Sequence, residues 1–152
     1  VAHRAYKGLS FRGLTMTQKN FAEYERALNC HESYIHTKTF CSSSADLKAA
    51  KMFLPDQSTT KLKVLMIFHF DQPCSTAIIL FGDLAKKLQC ISKFEGEQEI
   101  LILPQTIFSV MKIEKSTDGL QIIHLQCYNT ASVQAEMWED RYKSYIDAFF
   151  SD

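Results

Sequence analysis

The spacing of apolar residues along the chain changes between a period of two and a period of three to four, and these changes mark its elements. Leu9–Leu14 reads as a short strand. Thr15 or Thr17 can cap a helix running to about Leu28, with Phe21, Tyr24 and Leu28 on one face. Ser33–Phe40 alternates as a strand, and Ser42-Ser43-Ser44 opens a second helix with Leu47, Ala50 and Leu54 as its stripe and Pro55 as its stop. Lys61–Phe70 is a strand buried in its middle, and Asp71-Gln72-Pro73 is a turn. Thr76–Phe81 fits a strand or a helix start equally well. Ile100–Leu103 and Thr106–Ile113 are strands split by Pro104. Ser116-Thr117-Asp118-Gly119 turns the chain back, so that Leu120–Tyr128 becomes the hairpin partner. Ser132–Phe149 has a helical period, with Trp138, Tyr142 and Tyr145 sharing a face. Two early helices followed by at least five strands predict an α+β fold with a largely antiparallel sheet.

Composition narrows the function little, but it removes some classes. The 152 residues suit one domain with a real core. Seventeen basic residues balance seventeen acidic ones, which gives no electrostatic case for nucleic acid or for an anionic membrane surface. No apolar run approaches the ~18 residues of a membrane span. The chain begins at Val1 without a signal-peptide pattern and reads as a domain cut from something longer. The five cysteines (Cys30, Cys41, Cys74, Cys90 and Cys127) are odd in number and form no CxxC. Their usage favours free thiols and a reducing, intracellular compartment, with a secreted form carrying one or two disulfides as the alternative. No zinc-type Cys/His spacing occurs, so no metal is expected.

Candidate chemistry concentrates at Phe94-Glu95-Gly96-Glu97-Gln98-Glu99, where a loop meets the apolar run Ile100–Leu103. Residues i and i+2 of a strand share a face, so Glu97 and Glu99 would project together, roughly 6–7 Å apart along the backbone. Two carboxylates so presented suit chemistry at a sugar C1 carbon, where positive charge develops as a leaving group departs. Two further clusters fall on other strands: Phe11-Arg12-Gly13, and Phe40-Cys41-Ser42-Ser43-Ser44. Each alone is weak, because strand arginines are commonly surface residues, serine runs commonly cap helices and Glu-x-Glu pairs are commonly solvated. His69 and His124 fall in strands and read as structural, and Cys41 has no base at nucleophile spacing.

In this order and with these flanks, the three clusters resemble the R-S-E class of mono-ADP-ribosyltransferases, the family of the vertebrate ecto-enzymes and the arginine-modifying binary toxins. That family shows an aromatic-Arg pair on its first strand, an aromatic-x-Ser-Thr-Ser motif, and Glu-x-Glu before an apolar strand. The resemblance runs from about Ser10 to Ile113, with Ser43 standing where the family usually has Thr. It implies an ADP-ribosyltransferase-like α+β fold over residues 1–152, in which two packed, mostly antiparallel sheets flanked by helices form an NAD cleft. NAD would be a substrate, and the acceptor a protein with an exposed arginine.

The resemblance also implies roles for individual residues. Arg12 would hold the NAD phosphates, for which a guanidinium fork is suited. Gly13 would offer its backbone to the nicotinamide carboxamide, with close approach permitted by the missing Cβ. Ser42 would brace Glu99, and Ser44 would order the local backbone. Glu99 would bond the ribose 2′-hydroxyl and stabilise the oxocarbenium ion. Glu97 would orient the acceptor guanidinium and take its proton, and it is the residue that argues for arginine. Phe94 would belong to acceptor recognition, or simply to loop packing. Phe53 would stack on nicotinamide, or be a core residue of the second helix.

Two departures accompany the match. The family's helical segment before the first strand has little room here. Its second phosphate-binding arginine has no counterpart around Pro55-Asp56-Gln57, where Lys51 or Lys61 could substitute. Two other readings compete with arginine transfer: an NAD glycohydrolase, in which water replaces the acceptor, and an inactive binding module.

Overall fold

The longest strand is one that the sequence divides in two. In the computed structural model, which describes residues 2–30, 33–55, 60–82 and 98–128, Leu62–Ile79 is a single strand of 18 residues, β4. Around it lie β1 (Ala5–Met16), β2 (Ile35–His36), β3 (Cys41–Ser44), β5 (Glu99–Ile102), β6 (Ile107–Lys115) and β7 (Gln121–Cys127). The helices among the described residues are α1 (Gln18–Asn29), α2 (Leu47–Lys51) and a 3-10 turn at Ala2–Arg4.

Strand β4 survives the Asp71-Gln72-Pro73 turn signal because the chain bulges there instead of reversing. On the β1 side Gly8 faces Phe70 and Tyr6 faces Cys74, so two steps along β1 span four along β4. Pro73 is exposed in this interruption, where it takes no donor from the ladder. Gly8 lies opposite at φ +129°, a conformation closed to other residues. The undecided segment Thr76–Phe81 resolves accordingly: its first four residues complete β4.

The seven strands form one hydrogen-bonded network in the order β1-β3-β5-β4-β7-β6-β2, with β1 also paired to β4. This network does not divide clearly into the expected pair of packed sheets. Because β4 is long enough to pair with β1 and β7 through its first half and with β5 through Ala77–Ile79, one strand serves both regions. The pairings are antiparallel except β4–β7, which is parallel. Strands β6 and β7 form the expected hairpin, closed by Gly119 at φ +89°.

The main core lies between the sheet and α1, with Phe68, Phe70, Phe108, Ile123 and Leu125 packed around Phe21. On the other side of β4, Leu65 is buried with Ala50 of α2, Leu120 and Phe11. Covered on both sides, Val64–Met66 reads as a continuous apolar run. Helix α1 starts where the sequence indicates, with the Thr17 hydroxyl accepting from Asn20 N at 3.2 Å. Its inward stripe is Phe21 and Ala27, both buried, with the half-buried Tyr24, and Leu28 is exposed. The small Ala27 allows close approach to the sheet, and Leu28 turns away.

The largest differences fall around the serine run. Only Ile35–His36 of the expected Ser33–Phe40 strand is regular. Ser42–Ser44 lie within strand β3, and α2 is capped by Asp46, whose carboxylate accepts from Lys48 N at 3.0 Å. On the outer face His69 Nε2 and His124 Nδ1 lie 3.0 Å apart, and His124 Nε2 is 3.1 Å from Glu114 Oε2. The expected helix Ser132–Phe149 lies outside the described residues.

Candidate active site

Three strands bring the predicted residues together. Strand β3 runs antiparallel to β5, with Ser44 opposite Glu99 and Ser42 opposite Leu101. Ser42 and Glu99 are therefore diagonal neighbours on one face, within reach of each other's side chains. The Ser42 hydroxyl donates to Glu99 Oε2 at 3.3 Å. From β1, Arg12 Nη1 donates to the Ser42 carbonyl at 2.7 Å. Arg12, Ser42 and Glu99 thus form one hydrogen-bonded chain, in which the guanidinium fixes the serine backbone and the serine hydroxyl fixes the carboxylate.

The neighbouring serines anchor this chain. Ser43 is buried, donates to the Ile100 carbonyl at 2.9 Å, and has its hydroxyl 3.0 Å from that of Ser10. That ties β3 to both β5 and β1. The Ser44 hydroxyl accepts from Asp46 N at 2.9 Å, and Ala45 N donates to the Gln98 carbonyl at 3.0 Å. Gln98, at φ 46°, turns the chain into β5 immediately before Glu99. The Glu99 carbonyl accepts from Leu80 N at 3.0 Å, so its backbone is also held by the residue that follows β4.

A cavity of about 230 Å³ opens at Arg12 and Ser42 of this chain, lined also by Phe11, Gly13, Ala50 and Phe53 among others. Phe53 lies beyond the end of α2 and is 63% exposed at the cavity, which overturns its reading as a core residue. A Cβ on Gly13 would meet the Ala50 carbonyl oxygen at 2.4 Å and Leu54 Cγ at 3.1 Å. The glycine is therefore required by the approach of α2 to β1, a reason the sequence motif does not reveal. Arg12 also lines a second cavity of about 500 Å³, which reaches Tyr24, Tyr34, Thr37 and Phe40. Phe40 opens the serine-run cluster, and the sequence assigns Tyr24, Tyr34 and Thr37 to no site. Tyr24 comes from α1 and the other three from the segment around β2, and only the fold gathers them beside the arginine.

Cys41 precedes Ser42 on β3. Burial pushes its thiol upward, and the Arg12 guanidinium offsets this only in part. Burial also raises Tyr24, with further upward contributions from Cys41 and Glu23. Lys51 and Lys61 are exposed. Among the described residues, no group of three or more His, Cys, Asp or Glu side chains is arranged to hold a metal ion. Phe94 and Glu97 lie outside the described residues.

No protein-family model matches the sequence, and a search of curated proteins gives no match. Solved structures do match. The Vis toxin, an ADP-ribosyltransferase from Vibrio splendidus, superposes with a TM-score of 0.55 at 20% identity, covering 86% of this chain and 52% of its own. Vis is also known in complex with agmatine. The ADP-ribosyltransferase HopU1 of Pseudomonas syringae gives 0.55 at 14% identity, covering 82% of this chain and 47% of that one. Exoenzyme S from Pseudomonas aeruginosa, bound to carba-NAD and to a human 14-3-3 protein, gives 0.50 at 16% identity, covering 90% and 60%. The chain has an ADP-ribosyltransferase-like fold and spans about half the length of Vis and HopU1.

Proposed function

We propose that the chain is the catalytic part of an NAD-dependent mono-ADP-ribosyltransferase that moves ADP-ribose to an arginine side chain of a protein. The observation that carries this reading is the hydrogen-bonded chain Arg12–Ser42–Glu99, of which Arg12 and Ser42 line a cavity. A fixed carboxylate beside a guanidinium suits a substrate with a phosphate group at one end and a carbon that becomes cationic at the other.

In the proposed reaction Arg12 binds the phosphates of NAD and Phe53 covers the nicotinamide ring. The glycosidic bond between nicotinamide nitrogen and ribose C1 breaks, and the electron pair leaves with nicotinamide. The Glu99 carboxylate faces the oxocarbenium ion, held in position by the Ser42 hydroxyl. An arginine nitrogen of the acceptor then bonds to C1, and Glu97 takes the proton it loses. The arginine preference rests on Glu97, two residues before Glu99. It is consistent with the binding of agmatine by Vis.

The test is nicotinamide release from NAD, with and without agmatine, for wild type, Glu97→Gln and Glu99→Ala. Release stimulated by agmatine, with one ADP-ribose added to it, is the expected result. Glu99→Ala should lower the rate by about 10²–10³-fold, the usual cost of removing one preorganised electrostatic contact to a transition state. Release indifferent to agmatine and to Glu97→Gln would make the activity NAD hydrolysis. No release, with Glu99→Ala matching wild type, would exclude both.

A further inference from the structure

Away from this site, Cys74 and Cys127 have their sulfurs 3.7 Å apart. They are 53 positions apart in the chain and are brought together where the β4–β7 ladder stops. The last ladder pair is His69 with Gln126. Immediately beyond it β4 bulges through the exposed Asp71-Gln72-Pro73 and returns with Cys74 facing the core, while β7 ends on Cys127. Cys74 is buried in the main core cluster, and Cys127 is half-buried against it.

We infer that Cys74 and Cys127 form a thiol–disulfide exchange site, closing a reversible disulfide that ties the second half of β4 to the end of β7. The sulfurs must close to about 2.05 Å, which asks each side chain to move by less than about 1 Å. Backbone pairing between β4 and β7 has already ended there, while Cys74 stays paired with Tyr6 of β1 and Cys127 with Phe108 of β6. The environment also favours a thiolate. Hydrogen bonds from the Cys127 thiol, the Thr76 hydroxyl and the backbone at Thr76 and Ala77 outweigh burial, and bring Cys74 down to about 6. The same proximity pushes Cys127 up, so one proton is retained between the two sulfurs.

The oxidant is a small-molecule disulfide such as oxidised glutathione. One cysteine sulfur attacks it and displaces a first glutathione thiolate, leaving a mixed disulfide. The other cysteine sulfur then attacks the protein-side sulfur and displaces the second. Two protein thiols are oxidised, one glutathione disulfide is reduced to two thiols, and the two protons pass to them. The bond would fix the strand whose Leu80 end holds the Glu99 carbonyl.

The test equilibrates the intact chain in glutathione buffers of increasing oxidised fraction, alkylates the remaining thiols and maps peptides by mass. The expected product has lost two hydrogens and yields a Cys74–Cys127 linked peptide. Its thermal midpoint should exceed that of the reduced chain by on the order of 10 °C, from the long loop closed. A variant with Cys30, Cys41 and Cys90 all changed to Ser should keep both the linkage and the shift, which separates the pair from the other thiols. Full alkylation of Cys74 and Cys127 in the most oxidising buffer would overturn the inference, and so would a map joining either of them to another cysteine.

Discussion

Substituting Gly13 by alanine separates two explanations of one residue. If the glycine only admits a ligand, the ligand-free protein should tolerate a methyl group. Gly13 lies in the β1–β4 ladder opposite Leu65, a conformation open to any residue. Removing a glycine there would by itself stabilise the fold by about 0.4–1 kcal/mol through the unfolded chain. The structure predicts the opposite sign. The new Cβ would stand 2.4 Å from the Ala50 carbonyl oxygen, so α2 must retreat by about 1 Å to restore ordinary contact. Overpacking of that kind costs about 1–3 kcal/mol. Net of the entropic gain, Gly13→Ala should destabilise by about 1.5 kcal/mol, or about 3–6 °C in midpoint for a chain of this size. The retreat also carries Ala50 and Phe53 away from the cavity they line. In a nicotinamide-release assay KM for NAD should therefore rise more than kcat falls. Scanning calorimetry of the ligand-free protein decides the matter: an unchanged or higher midpoint would refute the packing argument and return the glycine to a ligand role alone.

Ser42→Ala removes the hydroxyl bond to Glu99 but leaves the carbonyl that Arg12 grips. Nicotinamide release should fall by about 10–100-fold, the range of a hydrogen bond to a charged group, with the midpoint within about 2 °C of wild type. Thr17→Ala deletes the α1 cap and should cost about 1 kcal/mol, read as a drop of about 2–4 °C without loss of NAD turnover. His69 is held below its ordinary value by burial, by His124 and by Lys112, with Asp71 opposing. The unfolded chain therefore takes up this proton first, and stability is lost as pH falls below about 6.5, levelling off beneath the folded value. Midpoints measured between pH 7.5 and 5.5 should decline, and His69→Gln should flatten that decline.

Where a local rule acts alone, the sequence carries the structure. The Thr17 cap, the Pro104 break and the Gly119 turn all stand where spacing and turn chemistry put them. The meeting of Arg12, Ser42 and Glu99 was legible through the motifs, since their flanking residues single them out and they are then hydrogen-bonded in space. What stayed hidden depends on neighbours remote in the chain. Pro73 signals a turn, and only the β1 register shows a bulge. The serine run satisfies a helix cap and an inward strand equally well, and it is the pairing with β5 that decides. Gly13 answers to Ala50, and Cys74 to Cys127, across separations that no periodicity encodes.

The parallel pairing of β4 with β7 also bears on how the chain is made. Its partners lie 57 residues apart. At synthesis rates of about 5–20 residues per second, β7 follows β4 out of the ribosome by roughly 3–11 s. Strand β1 is already available to cover one edge of β4, but the other edge waits, carrying the apolar run Val64–Met66. An uncovered apolar edge is a template for pairing with other chains. The interval before β7 emerges is when the nascent protein most needs a chaperone, and chains terminated between β4 and β7 should collect in the insoluble fraction.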